Sequence, residues 1–239
     1  MHRAVPPDHA DEFAPAPRRR FRPLRWMGRW LRFLLLRVLI AALGLVVMFA
    51  LINPPTTLTI LQASRDYPIV QRKWTRMQDI APVMARSVVA AEDANFCRHW
   101  GFDMVEIRRV IASGRSGGAS TITQQVVKNT YLWQGRSWVR KAAEAVLTPA
   151  VEAVWTKRRI LEVYLNVAEF GPGVFGIHAA AAHHFNTTPD ALTPTQAARL
   201  AAVLPSPKKR SPTAASKRSR SIADGAATIA RDGRDGCFR

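Results

Sequence analysis

Ala90-Ala-Glu-Asp-Ala-Asn-Phe-Cys-Arg-His-Trp-Gly101 is the segment from which the fold of this 239-residue chain is best deduced. Before it, apolar residues recur at steps of three and four, which predicts an amphipathic helix over about residues 79–94. Glu92 and Asp93 then fall in its last turn, where unpaired carbonyls raise the pKa of a carboxyl. Glu92 is therefore a candidate general base or acid. The alternative is a solvated acidic pair at a fraying helix end.

The chain carries a net charge of +18, and this charge is spread along its length. Residues 1–37 hold nine arginines against three acids, and residues 205–239 hold nine lysines or arginines against three acids. This distribution argues against a single nucleic-acid-binding tail. It fits an anionic membrane surface or a phosphate-bearing substrate. With 48% hydrophobic residues, the chain can form the core of one ordinary domain with tails.

An apolar run over residues 33–52 contains one charge, Arg37, and is long enough to cross a hydrocarbon core of about 30 Å. Because arginines precede the run, the positive-inside rule predicts a cytoplasmic N-terminus and an external domain after Asn53. A cleaved signal peptide is the alternative, but the run is longer than the usual signal core and no small-residue cleavage pattern follows it. We expect a disordered basic cytoplasmic segment over residues 1–32 and a single-pass inner-membrane protein.

The external domain is predicted to be mostly α, because the patterns from residue 79 to residue 204 are nearly all helical and no alternating strand pattern is visible. Asp103 can cap a helix over Met104–Ala112. Residues 113–118, rich in Gly, Ser and Arg, are expected to be a mobile loop. Residues 54–76 are expected to be a short extended segment.

Two further helices carry polar groups that can face an anion. Thr121 and Gln124 have capping-box spacing, and Lys128 follows one turn after Gln124. Free amides, hydroxyls and a lysine at a helix start form an anion site, although an ordinary capped helix with a solvated lysine has the same sequence.

The next helix, capped by Ser137, places Arg140 and Lys141 one turn before Glu144. On a surface, such a pair contributes only about 0.2–0.5 kcal/mol. In a cleft, the three residues could hold a pyrophosphate and a second carboxylate. Pro149 is expected to kink or end this helix.

Five segments in fixed order resemble the motifs of the peptidoglycan glycosyltransferases of glycosyltransferase family fifty-one, in the form without a penicillin-binding domain. The segments are Glu92-Asp-Ala-Asn-Phe-Cys-Arg-His-Trp-Gly101, Gly118-Ala-Ser-Thr-Ile-Thr-Gln-Gln125, Arg140-Lys-Ala-Ala-Glu144, Arg159-Ile-Leu-Glu-Val-Tyr-Leu-Asn166 and Gly173-Val-Phe-Gly-Ile-His-Ala-Ala180. The resemblance implies a lysozyme-like, mostly helical domain over residues 53–212. It also implies a reaction that joins lipid II units into glycan strands and releases undecaprenyl pyrophosphate.

The same resemblance implies a role for each motif residue. Glu92 is the general base that takes the proton of the acceptor's 4-hydroxyl, and Glu144 is a second carboxylate on the donor side. Cationic residues around the pyrophosphate are Lys128, Arg140 and Lys141. Substrate-binding residues are Ser120, Thr121, Gln124, Gln125, Asp93 and Asn166, and His99 and Asn166 resemble supports of the site.

Partners implied by the resemblance are lipid II, the growing lipid-linked glycan chain, inner-membrane lipids and other cell wall synthesis or division proteins, with no nucleic acid. It implies no certain cofactor and leaves room for a divalent cation such as Mg²⁺. The chain departs from the family at Pro149 and Cys97 and after residue 212, where residues 213–239 are expected to be a basic tail. Cys97 is interpreted as incidental, although a disulfide between Cys97 and Cys237 is compatible with an oxidising compartment.

Three other functions are weighed against this one. A peptidoglycan-cleaving muramidase fits a lysozyme-like fold with a glutamate at a helix end, but it has no use for the cationic set or an anchor. A basic envelope or DNA-binding protein explains the charge and not the five ordered motifs. A bifunctional penicillin-binding protein is excluded by length.

Overall fold

The computed structural model describes residues 23–70, 72–114, 118–135 and 137–239, the side chains from residue 26 onward. The chain divides into two compact units, the first ending at Ala41 and the second running over Ala42–Arg239. The described residues are mainly helical, so the predicted fold class is confirmed.

The N-terminal helix α1 covers Pro23–Leu51. Its stretch Trp26–Leu51 is long and apolar enough to cross a membrane, and nearly all of its side chains are exposed. The predicted membrane segment lies within this helix apart from its last residue. Residues 23–32, expected to be disordered, are helical because a helix already formed over the apolar run extends into flanking residues without a new nucleation step. Residues 1–22 lie outside the described part of the chain.

The second unit contains nine further helices and one hairpin among the residues that the structure describes. They are α2 (Leu58–Ala63), α3 (Pro82–Glu92), α4 (Met104–Ala112), α5 (Ile122–Tyr131), α6 (Trp138–Val154), α7 (Lys157–Val167), β1 (Glu169–Gly171), β2 (Val174–Phe175), α8 (Ile177–Phe185), α9 (Pro194–Val203) and α10 (Lys217–Arg231). Short 3₁₀ turns lie at Met77–Asp79, Phe96–Arg98 and Pro189–Ala191.

The core is built around α7, whose apolar residues are fully buried, including Ile160, Leu161 and Leu165. Helix α5 packs against both α6 and α7, and α3 packs against α9 and α10. Burial of large side chains at this density stabilises a helix more than its intrinsic propensity does. The site residues are thus carried on rigid, internally packed helices.

Two elements before and after this core differ from the sequence expectations. Residues 54–76 contain helix α2, capped by Thr57, rather than an extended segment throughout. Strands β1 and β2 form an antiparallel hairpin, which is too short to show an alternating pattern. Its turn depends on Gly173, with φ of 73°, because a Cβ there would lie 2.3 Å from the carbonyl oxygen of Pro68.

Pro149 does not end helix α6, which continues through it to Val154. Proline removes one backbone hydrogen bond and disfavours the preceding turn. The buried neighbours Leu147 and Val151 keep the segment packed, and tertiary packing of this kind overrides local propensity.

The C-terminal segment over residues 213–239, expected to be a basic tail, contains a packed helix instead. Helix α10 begins at a Ser216 capping box and buries Ile222, Ala226 and Ile229 against the domain. A disulfide joins Cys237 to Cys97, with a Cα–Cα distance of 5.7 Å. This helix is difficult to predict from the sequence because its buried stripe is short and includes a small alanine, while many of its other positions are charged.

Candidate active site

Glu92 is the last residue of α3, as the sequence predicts, and its side chain is only 11% exposed. Gln125 on α5 donates its Nε2–H to Glu92 Oε2 over 3.0 Å. Arg218 on α10 lies with Nη2 3.4 Å from Glu92 Oε1. Three helices therefore meet at one carboxylate.

Burial raises the pKa of Glu92 above its ordinary value, because desolvation penalises the charged form. The hydrogen bond from Gln125 and the positive charges of Arg218 and Lys128 act in the opposite direction on this pKa. The predicted rise in the pKa of Glu92 is confirmed, but its main cause is burial of the carboxylate rather than the carbonyls at the helix C-terminus. A carboxyl with a raised pKa can exchange a proton near neutral pH.

Asp93, expected to bind substrate, has both carboxylate oxygens engaged within the protein. His99 Nε2 lies 2.8 Å from Asp93 Oδ1, and the backbone N–H of Ile122 donates to Oδ2 over 3.0 Å. Since Ile122 opens α5, Asp93 joins the end of α3 to the start of α5. Its position fixes Glu92 relative to Gln125.

A group of possible metal ligands surrounds this junction, namely Asp93, His99 and Asp103, whose ligand atoms lie within 4.8 Å of one another. Asp103 Oδ1 accepts from the backbone N–H groups of Val105 and Glu106 as the cap of α4, and its Oδ2 accepts from Asn95. The oxygens are thus already committed to hydrogen bonds, and a histidine is not a preferred Mg²⁺ ligand. The group fits a structural network better than a cation site, and the expected divalent cation stays a prediction.

The predicted capping box at Thr121 and Gln124 is confirmed in both directions. Thr121 Oγ1 also donates to the carbonyl of Gly101 over 2.6 Å. Both side chains are buried and committed to holding the helix start, so the structure does not present them to a ligand. Ser120 is exposed beside them.

Gln125 is the polar residue of α5 that links two site groups. Its Nε2 bonds Glu92, and its Oε1 accepts the phenol O–H of Tyr164 over 3.2 Å. Burial raises the pKa of Tyr164 well above its ordinary value, which keeps the phenol a donor. The amide orientation of Gln125 is fixed from both sides.

Glu144 lies on α6 and is 3% exposed. Arg140 Nη1 donates to its Oε2 over 2.8 Å, and Lys141 Nζ contacts its other oxygen. The predicted i,i+4 pair is therefore formed, but in a buried setting, where removal of one partner leaves an uncompensated charge and costs more than it does on a surface.

Lys128 on α5 is affected by the charges of both carboxylates. Burial lowers the pKa of Lys128, and the charges of Arg140 and Lys141 lower it further, whereas Glu144 and Glu92 raise it. The charges of Glu92 and of the group on α6 thus both act on Lys128.

A cleft of about 460 Å³ opens in this region. Its lining includes Gln125, Lys128, Tyr164, Glu169 and Lys208. The cleft is large enough for part of a sugar-sized substrate.

Asn166 and Arg159 support the site from a distance. Asn166 exchanges hydrogen bonds with the backbone of Thr75 and donates to the carbonyl of Glu162. Arg159 donates to the carbonyl oxygens of Phe49 and Ile52 near the end of α1. The expectation that Asn166 supports the site matches these contacts better than its inclusion among substrate-binding residues.

Sequence reasoning missed Arg218, Tyr164 and Glu169 as site residues. The ring of Tyr164 packs in the main core, and its hydroxyl reaches Gln125. Arg218 lies in the segment taken for a tail, 126 residues from Glu92. A search for residues that complete a helical stripe in the C-terminal segment would have found α10, but not the contact.

The chain belongs to the transglycosylase family: the family model described as "Transglycosylase" matches residues 60–230. The resemblance seen in the five sequence segments is thereby confirmed, and the chain is an enzyme that transfers glycosyl groups. The match includes almost all of α10, in agreement with its packing into the domain.

Among curated proteins, the chain is 55% identical over 216 residues to the biosynthetic peptidoglycan transglycosylase of Jannaschia sp. (strain CCS1), covering 89% of this chain and 90% of that protein. It is 45% identical over 195 residues to the protein of the same name from Pectobacterium atrosepticum, covering 74% and 79%. A third, from Salmonella arizonae, is 44% identical over 208 residues, covering 80% and 84%.

Proposed function

We propose that this protein polymerises lipid II into the glycan strands of peptidoglycan, forming β-1,4 bonds and releasing undecaprenyl pyrophosphate. Family membership supports the reaction class. The observation that carries the proposal is the cleft lined by Gln125 and Lys128, in which Gln125 donates a hydrogen bond to Glu92 and the positive charge of Lys128 lowers the pKa of Glu92. The charges of Glu144, Arg140 and Lys141 act in turn on the pKa of Lys128. A base and a cationic centre for a departing pyrophosphate are thus adjacent.

In the proposed reaction, Glu92 acts as the general base. Its carboxylate takes the proton of the acceptor's 4-hydroxyl while that oxygen attacks the anomeric carbon of the donor. The bond from this carbon to the pyrophosphate oxygen breaks, and the pyrophosphate leaves with the electron pair. Attack opposite the leaving group converts an α-linked donor into a β-1,4 product.

The cationic residues stabilise the negative charge that develops on the leaving pyrophosphate. Arg140 and Lys141 are held on one face of α6 by Glu144, which keeps their charged ends from dispersing into solvent. Lys128 adds a third positive group from α5. Preorganised charges of this kind need no rearrangement as the transition state forms.

A muramidase is the second function weighed for this fold. Hydrolysis of a neutral glycosidic bond develops no phosphate charge, so it gives no role to Lys128, Arg140 and Lys141. The cationic centre and the name of the curated relatives both favour polymerisation.

The decisive experiment for the proposal is polymerisation by the purified full chain supplied with lipid II. We expect a high-molecular-weight product that lysozyme digests, and no release of fragments from preformed peptidoglycan. Fragment release without polymer formation would establish the muramidase instead.

The proposal places the catalytic domain in the periplasm, held at the inner membrane by α1, where lipid II, the growing glycan chain and other wall-synthesis proteins would meet it. The apolar helix over Trp26–Leu51 supports an anchor. A periplasmic reporter is expected to be active when fused after Pro55 and inactive when fused before Arg18. The reverse pattern would contradict this topology.

A further inference from the structure

The C-terminal segment reaches the base of the active site. Arg218, in the first turn of α10, lies with Nη2 3.4 Å from Glu92 Oε1 and donates to the carbonyl oxygen of Ala91 over 3.2 Å. One guanidinium group thus contacts both the carboxylate and the backbone that carries it. Such a contact favours one orientation of the carboxylate and favours its charged form.

Helix α10 is held close to α3 along its length. Its buried residues Ile222 and Ile229 belong to the main core. Where the two helices cross, a Cβ added at Gly225 would lie 3.1 Å from the Cβ of Ala90, so this glycine permits the close approach. The approach sets the distance at which Arg218 meets Glu92.

A covalent bond fastens the other end of the same segment. The disulfide between Cys237 and Cys97 closes 140 residues of chain, and Cys97 lies five residues after Glu92, in the 3₁₀ turn that follows α3. Phe238 beside it is buried against Phe96. The segment over residues 217–239 is therefore attached to the base-carrying region by Arg218 at one end and by Cys237 at the other.

We propose that the segment over residues 217–239 contributes to the active site. Arg218 is the positioning residue of Glu92, and the Cys97–Cys237 disulfide holds the segment in place. This inference rests on the proposed function, because it assigns a role around the proposed base.

Formation of this bond is a balanced oxidation. The two thiols lose two protons and two electrons and become one disulfide, while a disulfide oxidant, such as oxidised glutathione or a protein disulfide, is reduced to two thiols. The proposed periplasmic location is an oxidising compartment in which such bonds persist.

Removal of Arg218 has a defined effect on the ionisation of Glu92. The charged groups that act on Glu92 are Arg218, Lys128 and Arg210, and the phenol of Tyr164 also lies near it. Each of these positive charges lowers the pKa of Glu92, against the upward effect of burial. Loss of Arg218 therefore raises this pKa further, and a base with a higher pKa loses activity at higher pH as the solution is acidified.

The first test measures polymerisation by the full chain against pH for Arg218→Gln, Arg218→Lys and the matched control Arg220→Gln, an exposed arginine on the same helix. We expect the acid limb of kcat/KM to move to higher pH in Arg218→Gln, to return toward the wild-type position in Arg218→Lys, and to stay in place in Arg220→Gln. A uniform loss of rate at every pH in Arg218→Gln would indicate a structural effect only and would overturn the positioning role.

The second test concerns the disulfide. Mass spectrometry of the unreduced, alkylated protein is expected to give one linked peptide pair containing Cys97 and Cys237. Cys237→Ser, or reduction of the wild type, is expected to move the acid limb in the same direction as Arg218→Gln, and the double variant Cys97→Ser/Cys237→Ser should not respond to reductant. Alkylation of both thiols in the unreduced protein, or an unmoved acid limb in Cys237→Ser, would overturn the fastening role.

The outcomes separate the two proposals. A wild-type protein that makes no polymer from lipid II would refute the proposed function, whereas the peptide mapping would still report on the disulfide. A wild type that polymerises normally, with variants at Arg218 and Cys237 that keep its pH profile, would refute this inference alone.

Discussion

Glu92 and Glu144 are the same residue type in the same site, and their surroundings differ. Glu92 is the last residue of its helix. Its carboxylate accepts a hydrogen bond from the side-chain amide of Gln125 and lies 3.4 Å from Arg218 Nη2. Glu144 lies within a helix and is bracketed by Arg140 and Lys141. Burial raises the pKa of Glu92. The comparison indicates that Glu92 is suited to exchange a proton, and Glu144 to hold the charged ends of Arg140 and Lys141 in place.

The largest effect is expected from Glu92→Gln, which removes the basic carboxylate while keeping the size and shape of the side chain. Turnover with lipid II should fall by roughly 10²- to 10⁴-fold, the usual contribution of a general base. The measurement is initial polymerisation rate at saturating lipid II. A variant with unchanged rate would remove the base assignment.

A smaller loss of activity, accompanied by a loss of stability, is expected from Glu144→Gln. The substitution leaves Arg140 and Lys141 near a neutral group, which weakens a mostly buried ion pair. Since Lys141 is 44% exposed, the free energy of unfolding should fall by about 1–3 kcal/mol rather than the full value for a buried pair. Chemical denaturation of wild type and Glu144→Gln measures this difference in the free energy of unfolding.

Glu106→Gln is the control for that variant, because Glu106 forms an exposed ion pair with Arg109 at the i,i+3 spacing that Glu144 has with Lys141. Surface pairs contribute about 0–1 kcal/mol. Equal destabilisation by the two substitutions would show that the Glu144 group is no more than a surface pair.

Gln125→Ala is expected to lower the rate several-fold, as loss of a hydrogen bond of about 1 kcal/mol implies. Because the bond from Gln125 lowers the pKa of Glu92, its loss should also move the acid limb of kcat/KM to higher pH. A rate that falls equally at every pH would point to disturbed packing instead.

The smallest effect is the pH dependence of stability. The folded-state pKa of Glu92 lies above the unfolded value, so the native state binds more protons between the two values and is destabilised as pH rises through that window. The Glu92→Gln variant has no carboxyl at this position, so it does not lose stability through ionisation of a buried group. Its melting temperature relative to wild type should increase as pH rises from about 4 upward. A constant difference across this range would contradict the burial argument.

Local contacts were predictable from the sequence and distant ones were not. The caps at Asp103 and Thr121 and the pair of Arg140 with Glu144 follow from spacing within one or two turns, and the structure contains all three. Helical periodicity also placed Glu92 at the end of its helix.

Contacts between segments far apart in the chain carry no periodic signal. The hydrogen bond from Gln125 to Glu92 spans 33 residues, and the contact of Arg218 with Glu92 spans 126. The sequence therefore indicated helix-end charge as the cause of the raised pKa of Glu92, whereas desolvation dominates. The resemblance assigns Asp93 to substrate, whereas its contacts with His99 and the Ile122 amide arise only when the segments come together on folding.

The central claim is that the two carboxylates have different roles, and binding of a non-reactive phosphoglycolipid analogue of the donor tests it most directly. Affinity measured in parallel for wild type, Glu92→Gln and Glu144→Gln should be nearly unchanged in the first variant and clearly altered in the second. The reason is that only Glu144 contacts the proposed pyrophosphate-binding cations Arg140 and Lys141 directly. Equal affinity in wild type and Glu144→Gln, or a large loss of affinity in Glu92→Gln, would contradict the account.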